Sequence, residues 1–220
     1  MLTPTSTALT WELQTTTKCG KGNHPIKPTD REWHRPVRLR PTVPKPLKTI
    51  YMYTNFSIVM KDGCQGQTPT INNIEGIVVP LPGGRQFKMI PKYLESCLLH
   101  RDKIAELKLK CYNEAEAIFN EDNKAETDEY LRLGSPAAEH VRSFGCDLPT
   151  FEMAAAIIKF RPEINKAAEQ IEGADILEIG SYVWASCRYS TSSAWLYDGY
   201  GGSASINHFC VGTLAVPVAL

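Results

Sequence analysis

Near the C-terminal end, Asp198 and His208 have side chains that could take part in catalysis. Five serines, each a possible nucleophile, surround them in the sequence. Serine, histidine and aspartate are the residue types of a hydrolase triad, which geometry rather than sequence order defines. No G-x-S-x-G nucleophile elbow is present, because the run GGSAS at 201–205 lacks the closing glycine. The glycines of this run are followed by neither the lysine of a phosphate-binding loop nor a helix that would face an anion. These residues therefore favour a non-catalytic protein.

Cysteines and histidines elsewhere in the chain do not predict a metal site. Seven cysteines form an odd set with no C-x-x-C pair, which is typical of reduced, buried thiols rather than a disulfide framework. Cys19, His24 and His34 have ligating side chains, but they lack a fourth ligand and a paired spacing. We expect neither a metal nor another cofactor.

Charge is balanced over the whole chain and uneven along it. The 24 basic residues match the 24 acidic ones, yet residues 1–50 hold nine of the basic and three of the acidic ones. Dense prolines there predict an extended or disordered basic arm over 1–48, which either attaches the protein to other subunits or is a flexible leader. No apolar run approaches the roughly 18 residues of a membrane span, and no signal peptide is evident. We expect no nucleic-acid partner, no membrane insertion and synthesis in a cytoplasm.

The first elements predicted after the arm are strands and a long helix. Residues 49–60 are rich in aromatic and β-branched types, as strands are. Residues 76–90 contain two apolar runs joined by Pro82-Gly83-Gly84, which predicts a β-hairpin. Apolar residues then recur at helical spacing over 90–119, which predicts an amphipathic helix. They are Leu94, Cys97, Leu98, Ile104, Leu107 and Cys111.

Capping residues place the later helices. Ser135 precedes a helix that Gly145 should stop, and Thr150 precedes a helix that ends before Pro162. A further helix follows and should end by Gly173. Beyond it, residues 181–190 alternate as in a strand, and the apolar run 211–220 predicts one buried terminal strand.

The stretch 189–216 between these strand signals lacks several residue types. Lys, Glu, Gln and Met make up 40 of the 220 residues, and none occurs in these 28 positions, whereas Ser, Gly and Tyr supply 12 of them. Tyr offers a large contact area at low entropy cost, and Ser and Gly cost almost none, as in antibody binding loops. Composition alone leaves open a recognition surface or a simple connecting loop.

A family resemblance favours the recognition surface. The runs LPTFEMAAAI, INKAAEQIEG, SYVWASCRYSTSSAWLYDG and AVPVAL resemble, in their order and spacing, the C-type-lectin-fold variable proteins of diversity-generating retroelements. This group includes phage tropism determinants. The match covers about residues 135–220, with the hairpin at 74–90 a weaker match.

The resemblance implies an α+β, C-type-lectin-like fold with a mixed, mostly antiparallel sheet and two or more helices. The ligand-binding domain would span 49–220, with its variable region at about 185–216. In that family, mutagenesis of asparagine codons cannot produce Lys, Glu, Gln, Met or Trp. This would explain why Lys, Glu, Gln and Met are missing from 189–216. The chain departs from the family's usual S-S-T-E-Y at Ala185 to Tyr189 and from its V-R-P-V at Val216. The tripeptides of calcium-dependent sugar-binding lectins are absent.

Individual roles follow from the resemblance. Trp184 and Trp195 match fixed scaffold tryptophans. Residues that match the variable, ligand-contacting positions are Tyr189, Ser192, Ser193, Leu196, Asp198, Tyr200, Ser203, Ser205, Ile206, Asn207, His208, Phe209 and Val211.

The function implied is non-catalytic recognition of a cell-surface protein or glycan, at the tip of a phage or prophage tail. The chain would then be a virion component, with other tail subunits as partners of the arm at 1–48. A bacterial surface adhesin and a structural tail module remain alternatives. An enzyme of the formylglycine-generating type, which has a related fold, is another, with Cys187 and Cys210 as candidates for its reactive cysteine pair.

Overall fold

Two β-sheets and five α-helices make up residues 56–220, the part of the chain that the computed structural model describes. The fold is therefore mixed α+β, with antiparallel and mixed sheets, as the sequence predicts. The basic arm at 1–48 and the beginning of the predicted strand at 49–60 lie outside the described residues.

The smaller sheet is antiparallel and contains the predicted hairpin. Its strand order is β1-β2-β3-β9. The bounds are β1 Ile58–Met60, β2 Ile74–Pro80, β3 Gln86–Met89 and β9 Val218–Ala219. The turn between β2 and β3 is a short 3-10 segment at Pro82–Gly84 in which Gly83 has a φ of 74°, a value that favours glycine. The hairpin prediction is confirmed.

The larger sheet carries the stretch of unusual composition at its edge. Its strand order is β4-β8-β5-β6-β7, and all pairs are antiparallel except β5 with β8. The bounds are β4 Leu94–Ser96, β5 Tyr182–Arg188, β6 Ser193–Asp198, β7 Ser203–His208 and β8 Thr213–Ala215.

The C-terminal segment enters both sheets. We expected one strand over 211–220, but the chain forms β8 in the larger sheet and β9 in the smaller one. Pro217 separates them, and a proline nitrogen cannot donate to a strand ladder. The carbonyl of Pro217 instead accepts from Ile90 N–H at 3.0 Å, which leads the chain into the smaller sheet.

Side-chain caps start two of the helices where the sequence places them. Ser135 Oγ accepts from Ala138 N–H at 3.1 Å, and Thr150 Oγ1 accepts from Met153 N–H at 3.2 Å. The five helices are α1 Glu114–Ile118, α2 Asn123–Arg132, α3 Pro136–Ser143, α4 Phe151–Lys159 and α5 Arg161–Ala168. The last of them ends before the predicted stop at Gly173.

The predicted long helix over 90–119 is wrong. The segment forms β4, a 3-10 turn at Arg101–Glu106, an irregular run and the short helix α1. Leu98 and Leu99 N–H donate to the carbonyl of Phe209, at 2.8 and 3.2 Å, instead of to a preceding turn of helix. Long-range backbone pairing thus overrides the helical spacing of the apolar side chains.

Both faces of the larger sheet are covered. Helix α4 packs against β5 and β6 on one face, where Trp195 joins a core shared with the smaller sheet. Helices α2 and α3 pack on the other face, where Trp184 and Leu196 join a second core. Strand β5 is consequently buried from Val183 to Arg188. Within residues 56–220, the outer edges of β4 and β7 have no paired strand.

Candidate functional site

The stretch 189–216 is a β-hairpin followed by a short turn and β8. Strands β6 and β7 pair in a continuous register, in which Trp195 lies opposite Ile206 and Asp198 opposite Ser203. Strand β7 ends the sheet, and within residues 56–220 no strand pairs with its outer side. A stretch whose Ser and Gly content is also typical of a connecting loop therefore contains an edge strand.

The outer edge of β7 presents backbone groups as well as side chains. Phe209 N–H donates to Ser192 O at 3.2 Å, which fixes the alternation of the ladder. By that alternation Ser203, Ser205 and Asn207 bond to β6, while the backbones of Ala204, Ile206 and His208 face outward. Those of Ala204 and Ile206 could pair with a further strand, whereas His208 N–H already donates to Asn207 Oδ1 at 2.9 Å and His208 O accepts from Val211 N–H at 3.0 Å. Such an edge can accept an extended chain.

Both predicted scaffold tryptophans are buried and hydrogen-bonded. Trp184 Nε1 donates to Ser96 O at 3.1 Å on one side of the sheet. Trp195 Nε1 donates to Tyr112 O at 2.9 Å on the other side, and its ring meets those of Phe151 and Tyr189 edge-on. A buried indole with its N–H satisfied fixes both its own strand and the segment that supplies the carbonyl.

Arg188 ties the base of the hairpin to the segment 107–112. Its guanidinium donates to four backbone carbonyls, those of Leu107, Leu109, Ser190 and Thr191, at 2.6 to 3.3 Å. The side chain is buried, and Tyr112 N–H donates back to its carbonyl at 2.8 Å. Sequence reasoning assigned no role to Arg188 or to 97–134. The available signal was that no Lys or Arg other than Arg188 follows Lys166.

Eleven of the thirteen predicted ligand contacts are exposed or partly exposed. The exposed ones are Tyr189, Tyr200, Ser203, Ile206 and Val211. The partly exposed ones are Ser192, Ser193, Asp198, Ser205, Asn207 and His208.

Leu196 and Phe209 do not belong to an exposed surface, so their prediction as ligand contacts is wrong. Their relative exposures are 1% and 0%, and both lie in the core beneath α2 and α3. Leu196 lies on the buried face of a central strand, and the ring of Phe209 packs edge-on against Tyr130, with centroids 6.3 Å apart. A substitution at either position acts on packing rather than on a ligand.

The exposed positions surround the edge strand instead of forming one flat patch. Ser203, Ser205 and Asn207 share a face with Leu196, whereas Ile206 and His208 lie on the face of Trp195. A ligand that contacts both sets must wrap around β7.

The hairpin keeps Asp198 and His208 apart. They lie near its opposite ends, because Asp198 pairs with Ser203 and His208 pairs with Ser193. Five strand positions separate the pairs, which corresponds to about 17 Å. Asp198 Oδ1 accepts from Tyr200 N–H at 2.8 Å, and His208 Nδ1 accepts from Cys210 N–H at 3.3 Å. These two residues hold turns and do not form a triad.

Cys187 and Cys210 are both free thiols in different surroundings. Cys187 is fully buried, and burial followed by the nearby Glu126 carboxylate raises the pKa of its thiol. Cys210 is exposed in the turn after β7. A thiol held protonated in a core is poorly suited to the redox chemistry of a formylglycine-generating enzyme.

A buried carboxyl group lies behind β5. Glu126 is 3% exposed, and burial raises its pKa to about 7. Its oxygens accept from Ser186 Oγ at 2.5 Å and Asn120 Nδ2 at 2.9 Å. The phenol of Tyr130 is buried in the same region and has no hydrogen-bond partner among residues 56–220. This cluster is sealed beneath the hairpin base and does not reach the exposed surface.

Residues 56–220 contain neither a membrane-spanning helix nor a group of metal-binding side chains. No helix in this range is long and apolar enough to cross a bilayer. No group of three or more His, Cys, Asp or Glu side chains there could hold a metal ion.

Comparisons of the chain with protein-family models, with curated proteins and with solved structures found no match. The assignment of a function therefore depends on the residues and geometry of the hairpin.

Proposed function

We propose that the chain is a non-catalytic recognition protein whose β6–β7 hairpin binds a ligand on the surface of another cell. In this proposal the fold is C-type-lectin-like, and the hairpin is the variable region of a protein diversified by a retroelement. The ligand is a cell-surface protein or glycan, and the setting is the tail tip of a phage or prophage.

The observation that carries the proposal is the division of roles within the hairpin. Trp184, Trp195 and Arg188 are buried and bind distant backbone carbonyls, whereas most of the positions matched to variable residues lie on the rim. A surface that changes in sequence needs fixed anchors that no exposed substitution disturbs. The rim offers Tyr and Ile side chains among serines, a composition that suits adaptable binding.

The topology also fits a lectin-like domain. The C-terminal strand β9 returns to the smaller sheet beside β3, while the hairpin extends from the larger sheet. Two capped helices, α3 and α4, precede this arrangement on opposite sides of the larger sheet. These features support the proposed fold, in which the hairpin forms one side of the larger sheet.

Binding of the full chain to a panel of intact bacterial cells, measured by flow cytometry, tests the proposal. A variant with Tyr189, Tyr200, Ile206 and Val211 all changed to Ala should lose binding to any strain that the parent protein labels. A matched control changes the exposed Ile118, Phe119 and Leu131 to Ala and should bind as the parent does. Equal binding by the hairpin variant and the parent would contradict the proposal.

The DNA beside the gene supplies an independent test of the variable-region part. We expect a near-copy of the coding sequence for about residues 185–216, differing mainly at adenines, close to a reverse transcriptase gene. The absence of such a template would contradict the proposed diversification and would leave a binding surface of fixed sequence.

The open edge of β7 favours a structural tail module as the second candidate. A subunit could pair with the outward backbones of Ala204 and Ile206. Amide exchange at Ala204 and Ile206, whose N–H groups face away from β6, distinguishes the two candidates. A structural module should be protected there only in the assembled particle, whereas a recognition surface should remain exchangeable until ligand is added.

A further inference from the structure

A cleft beside the tip of the hairpin has surroundings that differ from those of the rim. Its volume is about 490 Å³, and it lies between the β6–β7 turn, the turn at 175–182 and strands β4 and β8. We call it the tyrosine–carboxylate cleft and define it by six lining residues. They are Tyr93, Glu95, Glu178, Ile179, Tyr182 and Tyr200.

Large apolar side chains are exposed around this cleft. The relative exposures of Ile179, Tyr200 and Tyr182 are 76%, 74% and 40%. The two tyrosine rings lie next to each other in a tilted arrangement, with centroids 6.3 Å apart and planes inclined by 60°. Adjacent exposed aromatic and aliphatic groups mark interaction sites on soluble proteins.

The ring of Tyr200 is held in place although it is exposed. It lies so close to Gly180 that a Cβ there would be 2.3 Å from Cζ of the ring. Tyr200 N–H also donates to Asp198 Oδ1 at 2.8 Å, which fixes the turn. An exposed aromatic ring with a set position is preorganised for a ligand.

The charge of the cleft is negative. Among the described residues, its lining contains the carboxylates of Glu95, Asp175 and Glu178 and no Lys, Arg or His. Asp175 is already occupied, since it accepts from Lys92 Nζ at 2.8 Å and from Tyr93 N–H at 2.9 Å. Among residues 56–220, neither Glu95 nor Glu178 has a side-chain hydrogen bond or ion pair.

The phenol of Tyr93 is a second, independent indication of a missing partner. Tyr93 lines the cleft, and its hydroxyl oxygen is buried without a hydrogen bond among the described residues. Burial, and then the charge of Asp175, raises the pKa of this phenol, so it stays a neutral donor and acceptor. Buried polar groups without partners are rare, and such a group beside a cleft indicates a ligand or bridging water.

We propose that the tyrosine–carboxylate cleft binds a lysine or arginine side chain from an extended basic segment of a partner protein. The cation lies against the rings of Tyr182 and Tyr200 and pairs with Glu95 and Glu178, while its methylene stem lies along Ile179. This inference rests on the proposed recognition function and names the chemistry of its ligand.

A basic protein segment fits the cleft better than a zwitterionic lipid headgroup. A headgroup with a quaternary ammonium also carries a phosphate, and the lining formed by residues 56–220 has no basic side chain to hold that phosphate. Unpaired carboxylates would repel it. A Lys or Arg side chain brings positive charge together with an apolar stem and no anion.

Fluorescence anisotropy with labelled peptides tests the inference on the full chain. Three peptides of equal length differ only in whether arginine, glutamate or serine occupies alternate positions. The arginine peptide should bind at low salt and the other two should not. The variants Tyr200→Ala and Glu178→Gln should each weaken its binding roughly fivefold, the effect of losing one exposed cation–π or ionic contact.

The matched control is Phe119→Ala, which removes an exposed aromatic ring that does not line the cleft and should leave arginine-peptide binding within about twofold. Unchanged thermal unfolding of Tyr200→Ala would show that its effect is local. Equal affinity of parent and Tyr200→Ala for the arginine peptide would overturn the inference. Binding to phosphatidylcholine vesicles in preference to the peptide would overturn it in favour of a membrane ligand.

The two proposals fail in different ways. Cell binding that depends on Ile206 and Tyr189, together with no preference for the arginine peptide, would refute the cleft and leave the recognition function intact. Arginine-peptide binding that depends on Tyr200, in a protein that labels no cell, would support the cleft and contradict cell-surface recognition.

Discussion

The indole nitrogen of Trp195 donates a 2.9 Å hydrogen bond to the carbonyl of Tyr112, a residue 83 positions earlier in the chain. The bond joins the centre of the hairpin to the irregular segment that follows β4. Through this contact, an element with no evident role in the sequence helps to hold the proposed binding surface.

Trp195→Phe should destabilise the domain. The substitution leaves the Tyr112 carbonyl without its donor and a gap beside Phe151, which together cost roughly 2–4 kcal/mol. Urea unfolding followed by circular dichroism measures the change. Tyr189→Phe keeps a ring against Trp195 and should change the unfolding free energy by less than about 0.5 kcal/mol. A similar small loss in Trp195→Phe would show that the indole contact does not stabilise the hairpin.

Arg188→Met should loosen the hairpin base and the segment 107–112 together. Methionine keeps a long apolar stem but removes the donors to four carbonyls, with an expected loss of roughly 3 kcal/mol or more. Hydrogen exchange should accelerate at Tyr112 and around Ser190 to Ser192 in the same variant. Arg188→Lys retains a charge with fewer donors and should lie between parent and Met variant. Faster exchange in only one of the two segments would argue against a shared clamp.

Glu126 should make stability fall as pH rises between about 4.5 and 7. Its pKa is raised from 4.5 in the unfolded chain to about 7 in the folded protein, chiefly by burial. The unfolded state therefore loses its proton first as pH rises. The stabilisation is complete below pH 4.5 and is lost through pH 7, with a total on the order of 3 kcal/mol.

Glu126→Gln keeps a similar shape and removes the titration, so it is the matched variant. The difference in unfolding free energy between parent and variant, measured at several pH values, should decline across this window. A difference that stays constant with pH would mean that Glu126 does not titrate there.

Gly199→Ala should disrupt the tip of the hairpin. A Cβ at this position would lie 2.3 Å from the backbone oxygen of Ser181, to which Gly199 N–H donates at 3.0 Å. Because backbone cannot move aside as a side chain can, we expect a loss of roughly 2 kcal/mol. Gly201→Ala is the control, since its nearest neighbour is the movable Ser203 Oγ at 3.3 Å. If the proposed diversification operates, natural variants should retain Gly199.

Local chemistry made some of this fold predictable from the sequence. Ser135 and Thr150 cap helices through their own side chains, and Pro82-Gly83-Gly84 forms the turn between β2 and β3. Each of these signals acts within a few residues, so no knowledge of the rest of the fold was needed.

The elements that depend on pairing between distant residues could not be predicted from the sequence. Leu98 belongs to a helical pattern in the sequence, but its backbone pairs with Phe209, more than a hundred positions away. Ser203 and Ser205 resemble loop residues, yet they pair with β6. Tyr182 and Ile179 join Tyr200 around one cleft only after β5 and β6 have paired, so neither was predicted as a site residue.

The larger sheet has helices on one face and, on the other, a core shared with the smaller sheet. Of its two edge strands within residues 56–220, β4 and β7, only β7 belongs to the hairpin, so the proposed binding surface is a line along β7. A surface of this kind grows with strand length and not with sheet area. Relatives that bind larger ligands should therefore have longer β6–β7 hairpins or longer turns at their tips, with the same number of strands. We therefore expect substitutions that change specificity to lie along this one edge, between the turn after β5 and the turn before β8.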